Sequence, residues 1–88
     1  MFRIEFASSA GKELERIYKR DRSLYRRLLS SIEPLKHNPY LGKKLKGVLQ
    51  NDYSLRVGSY RILYVVFKEK LLVTIIDLGH RKDIYRLK

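Results

Sequence analysis

The stretch Tyr53-Ser54-Leu55-Arg56-Val57-Gly58-Ser59-Tyr60-Arg61-Ile62-Leu63-Tyr64 decides the fold. Two runs rich in aromatic and β-branched residues flank Gly58-Ser59, a pair suited to a two-residue hairpin turn. A two-residue turn leaves no freedom in the pairing. Val57 must oppose Tyr60, Arg56 must oppose Arg61, Leu55 must oppose Ile62, and Ser54 must oppose Leu63. Opposed residues share a face of the sheet. One face therefore carries Tyr53, Leu55, Val57, Tyr60, Ile62, Tyr64 and Val66 and is apolar or aromatic throughout. The other carries Ser54, Arg56, Arg61, Leu63, Val65 and Phe67.

Working outward, Leu71–Leu78 supplies another β-rich run, separated from Tyr60–Phe67 by Lys68-Glu69-Lys70. At the other end of the chain, Phe2, Ile4 and Phe6 alternate with Arg3 and Glu5, a strand pattern. Ala7, Ala10, Leu14, Ile17 and Tyr18 then recur at helical spacing, with Ser8 and Ser9 offering N-cap hydroxyls. Asp21 is placed to cap a second helix bearing Leu24, Tyr25, Leu28, Leu29, Ile32 and Leu35. Pro34 should end or kink it. The short link at 19–22 makes the helices an antiparallel hairpin. Tyr40–Asp52, with Gly42 and Gly47, reads as a loop. The expected order is β-α-α-β-β-β. It describes an α+β fold in which a helical hairpin packs on the apolar face of a small, mainly antiparallel sheet.

The 88 residues fit one domain spanning 1–88, with no internal repeat or Gly/Ser linker to divide it. The absence of cysteine excludes a disulfide framework, a thiol nucleophile and a zinc-thiolate site, and suits a reducing cytoplasm. Hydrophobic residues make up 44%, enough to argue against disorder. No apolar run approaches the ~20 residues needed to span a bilayer. Arg3 and Glu5 interrupt the start of the chain where a signal peptide needs an apolar stretch. Twenty Lys and Arg against nine Asp and Glu give a net charge of +11, which points to a polyanionic partner.

Arg56 and Arg61 make that charge specific. Like charges directly opposed on a sheet destabilise it, unless an anion sits between them or the side chains splay into water or meet an acid such as Asp77. Guanidinium forks bind phosphate oxygens bidentately. After Leu78 comes Gly79-His80-Arg81-Lys82-Asp83-Ile84-Tyr85. Gly79 is expected to let the chain leave the sheet, so that His80, Arg81, Lys82 and Tyr85 fold over its surface. Three arginines, an imidazole and a phenol form a set able to bind and activate a phosphate. A solvated basic tail is the plainer alternative.

These residues carry a resemblance. Leu45-Lys46-Gly47, the hairpin 53–64 and Gly79–Tyr85 together resemble the RelE/ParE toxin superfamily over essentially the whole chain. The resemblance implies a microbial-RNase-like fold and, in the RelE branch, the toxin of a type II toxin–antitoxin pair. Such a toxin is an endoribonuclease that cuts mRNA in the ribosomal A site, inhibits translation, and uses no metal or cofactor. It implies that Arg61 holds the scissile phosphate and that Arg81 stabilises its developing charge. Tyr85 would stack on the nucleobase or transfer a proton. Arg56 falls where many members place a lysine, and Ser54 where some place another. Arginine cannot act as the base a lysine offers. Lys43, Lys44, Lys46, Lys82 and Ser54 are expected to contact RNA, and His80 is a candidate acid or base.

The resemblance further implies an acidic, partly helical antitoxin, the ribosome and mRNA as partners, a cytoplasmic location, and no membrane. A heterotetramer with the antitoxin is one assembly it allows. Two alternatives stay open. The ParE branch binds DNA gyrase without cutting RNA, and a non-catalytic RNA-binding module would bind without producing new 5′ ends.

Overall fold

The Gly58-Ser59 turn sets the register as the sequence requires. Val57 pairs with Tyr60, Arg56 with Arg61, Leu55 with Ile62 and Ser54 with Leu63. Gly58 has φ of 61°, and Ser59 stays at negative φ, the pattern of a type II′ hairpin with glycine at its first central position. The computed structural model describes residues 1–45 and 52–80.

Among these residues the strands are β1 (Arg3–Phe6), β2 (Lys43–Lys44), β3 (Asp52–Val57), β4 (Tyr60–Phe67) and β5 (Leu72–His80). They form one sheet in the order β1-β5-β4-β3-β2. Every pairing is antiparallel except β1 with β5, which is parallel. Two helices, α1 (Ser8–Arg20) and α2 (Arg22–Ile32), cover one side. Asp21 alone joins them, and its carboxylate accepts from the Leu24 N–H at 3.1 Å, so the expected cap is present. Pro34 ends α2: the chain tightens to a 3₁₀ turn over Glu33–Lys36.

The core lies between the helices and the predicted face. Ala10, Leu14 and Ile17 from α1 and Leu28 and Ile32 from α2 pack on Tyr53, Val57, Ile62, Tyr64 and Val66, with Leu55 and Tyr60 at its margin. Spacing of three and four residues puts each helical set on one stripe. The side away from the helices is not bare, since Ser54 and Leu63 are each 6% exposed and Leu72 is 9% exposed.

Four local expectations are corrected. The N-cap of α1 is Ala7, with no side-chain cap bond; the Ser9 hydroxyl instead donates to the Ile76 carbonyl at 3.1 Å. The segment read as a loop contains β2, which two pairs with β3 hold in place. Gly79 does not release the chain. It lies within β5, opposite Arg61. The last correction follows from a bulge. Leu63 pairs with Asp77 but Tyr64 with Ile75, so Ile76 is the extra residue in β5. One extra residue inverts the alternation beyond it. Leu78 thus enters the core at 2% exposure. His80 then faces the helices rather than the arginine side.

A cationic concavity on the open sheet face

The open face is assembled from three neighbouring strands at one edge of the sheet. From β2, Lys43 stands across from Ser54 of β3. Two residues further along β3, Arg56 stands across from Arg61 of β4. Alternation places Lys43, Ser54, Arg56 and Arg61 on one side. They line a concavity of about 360 Å³ together with Leu41, Gly42 and Leu55. Among the described residues its charged side chains are Lys43, Arg56 and Arg61, all cations. Arg56 and Lys43 are exposed, Arg61 is half-buried, and Ser54 is buried at the floor.

Such a floor suits an anion. Arginine offers donors in a planar fork that matches two phosphate oxygens at once, and a partly buried guanidinium is less screened than one in water. Directly opposed residues share a face of the sheet, so both arginines line the same hollow. Asp77 does share this face, across from Leu63. One of its carboxylate oxygens accepts from the Leu78 N–H at 2.9 Å.

The structure therefore brings together Arg56, Arg61, Ser54 and Lys43. It does not bring Lys44, which pairs with Tyr53 and so sits on the opposite side. Nor does it bring His80. That residue opposes Tyr60, with ring centroids 5.7 Å apart, and the Tyr60 hydroxyl receives a bond from Arg20 of α1 at 3.2 Å. Lys46, Arg81, Lys82 and Tyr85 lie outside the described residues.

Sequence reasoning missed the outer wall. Leu41 and Gly42 belong to it, and a buried tyrosine holds it. The Tyr64 hydroxyl donates to the Pro39 carbonyl at 2.8 Å and accepts from the Gly42 N–H at 2.9 Å. Burial pushes the Tyr64 phenol above its ordinary pKa, so it keeps its proton and its donor at neutral pH. The close spacing of Pro39 and Gly42 was the available signal.

Fold and site together define a class, a small α+β domain with a cationic hollow on the sheet face that its helices leave open. Comparison with known proteins narrows it. The family described as "ParE toxin of type II toxin-antitoxin system, parDE" matches residues 4–85. The putative toxin RelE4 of Methanocaldococcus jannaschii is 27% identical over 89 residues, covering 100% of this chain and 95% of the relative. The isolated RelE toxin of E. coli superposes with a TM-score of 0.81 at 20% identity, with both chains fully covered. The RelBE2 toxin–antitoxin complex of Mycobacterium tuberculosis gives 0.77 at 26% identity, covering 91% of this chain and 98% of that one. This chain belongs to the RelE/ParE superfamily of type II toxins, on its RelE branch.

Proposed function

We propose that this toxin is a ribosome-dependent endoribonuclease that cuts mRNA in the A site and so stops translation. The observation that carries the reading is the opposed pair Arg56 and Arg61 in a hollow whose charged lining, among the described residues, is cationic. Like charges directly opposed on a sheet cost stability, and an anion bound between them offsets that cost.

The chemistry needs no group from outside the chain and the RNA. The ribose 2′-oxygen attacks phosphorus, the P–O5′ bond breaks, the 2′ proton leaves and the 5′-oxygen gains one. Charge accumulates on the phosphate oxygens as the new bond forms. Arg61 holds the phosphate from the floor, Arg56 neutralises it from across the hairpin, and Lys43 receives the neighbouring backbone. Arg81 adds charge stabilisation, and Tyr85 stacks on the base or moves a proton. Arg56 is unsuited to the general-base role because guanidinium does not deprotonate in this range. His80, on the helix side, is not placed for it either.

The regulatory partner is an acidic antitoxin. The toxin–antitoxin complex among the structural relatives supports this, as does the charge of +11. A ribosomal target would put this activity in the cytoplasm.

The test adds purified protein to mRNA-programmed ribosomes and maps new 5′ ends. Replacing Arg61 with alanine should lower the cleavage rate ~10²–10³-fold, the usual cost of removing one donor that stabilises transition-state charge. His80→Ala should cut as the wild type does. The ParE description of the matching family favours a second reading, binding of DNA gyrase. Gyrase inhibition without new 5′ ends would establish that reading in place of the first. Ribosome binding without cleavage would indicate an RNA-binding module.

A further inference from the structure

We propose that Tyr64 is a positioning residue for the concavity: by tying Pro39 to Gly42 it sets where Lys43 meets the RNA backbone. The inference rests on reading the hollow as an RNA-phosphate site. Tyr64 is on the wrong face to touch a ligand there. It points toward the helices and is fully buried. Yet its hydroxyl ends at the sheet edge and spends both its donor and its acceptor on one short loop.

The tie is rigid at its other end. The Tyr64 ring stacks on Tyr53 with centroids 5.5 Å apart and planes 14° from parallel, and Tyr53 in turn contacts Tyr40 at 5.7 Å. Tyr64 sits in β4, the strand that carries Arg61. One side chain therefore fixes the wall of the hollow to the strand that supplies its floor.

Among the described residues the wall has few other ties: β2 has two residues paired with β3, and the Leu45 N–H donates to the Asp52 carbonyl at 2.9 Å. Gly42 is pressed against its surroundings: a Cβ there would stand 2.6 Å from both the Ser54 carbonyl oxygen and the Tyr64 hydroxyl. Any larger residue must push the loop away from β3. Loss of the hydroxyl in Tyr64→Phe leaves the ring in the core but orphans the Gly42 N–H and the Pro39 carbonyl. Water can satisfy them only if the loop lifts, and Lys43 moves with it.

The experiment measures apparent affinity for mRNA-programmed ribosomes as salt is raised. Each single-stranded phosphate contact contributes ~0.7 to the slope of log affinity against log salt. Tyr64→Phe should lower the slope by about that amount, as should Lys43→Ala, and the double variant should lose no more than either alone. A folded Tyr64→Phe protein with the wild-type slope overturns the proposal, as does a double variant that loses a second increment. Circular dichroism checks folding. Should Tyr64→Phe fail to fold, Gly42→Ala displaces the same loop with the ring intact, and its slope decides. A wild-type protein whose ribosome binding has no salt dependence would instead overturn the RNA-phosphate reading of the site.

Discussion

Relief of the opposed arginines should stabilise the protein while weakening its chemistry. Arg56 and Arg61 are direct cross-strand neighbours, so their Cβ atoms stand about 4.5–5.5 Å apart and the long side chains must diverge to separate the charges. With guanidinium centres ~7 Å apart in a water-like dielectric, the repulsion is ~0.6 kcal/mol. Partial burial of Arg61 raises that figure, and measured penalties for opposed like charges reach ~1 kcal/mol. Arg56→Thr removes the repulsion and installs a β-branched residue that favours a strand. A gain of ~0.5–1 kcal/mol corresponds to a rise in Tm of about 2–8 °C for a domain of this size. Thermal unfolding followed by circular dichroism at low salt measures it. The same comparison near 1 M salt, where the Debye length falls to ~3 Å, should shrink the difference to what strand preference alone supplies. Ribosomal mRNA cleavage by the variant should fall. An Arg56→Thr protein that melts no higher than wild type at low salt, or whose advantage is the same at high salt, would show that the two arginines do not repel each other across the sheet.

Gly58→Ala should be destabilised by ~1–2 kcal/mol in chemical denaturation: it forces an L-residue to φ of 61° and brings its Cβ within 2.9 Å of the Arg27 guanidinium. The Tyr64 phenol, raised by burial above its ordinary 10.0, favours the folded state fully below that value. As pH climbs through the elevated folded-state pKa, the unfolded chain holds fewer protons than the native one and stability is lost. Alkaline unfolding monitored by tyrosine absorbance should show this step in the wild type and lack it in Tyr64→Phe.

The sequence is most legible where a local constraint leaves one solution. Gly58-Ser59 is such a place, because a two-residue turn dictates every pair behind it, including Arg56 with Arg61. Asp21 is another, since a short acidic residue between two apolar stripes has a capping bond ready. The sheet edge is less legible. β2 has too few residues to show a period, and β3 alone makes it a strand. The bulge at Ile76 has no signature in composition, yet it turns His80 from the arginine side to the helix side. An extra residue in one strand is fixed by what the neighbouring strand and α1 require, here including the bond from Ser9 to the Ile76 carbonyl. Tyr64 looks like ordinary core because its apolar ring is ordinary core; the hydroxyl's work depends on a loop some twenty residues upstream.

The parallel pairing of β1 with β5 has a bearing on how the protein is made. Arg3 pairs with Leu72 and Phe6 with Ile75, so the first strand synthesised waits for the last of the described strands. At translation rates of about 5–20 residues per second that delay lasts several seconds. Until the β3–β4 hairpin emerges, the helical hairpin carries an apolar stripe with no sheet to cover it. The β3–β4 hairpin closes locally and aligns its arginines as soon as it emerges. The strand that backs it arrives afterward. Assembly of this toxin is thus timed by its own topology, with a late completion step during which the nascent chain is exposed to misassociation.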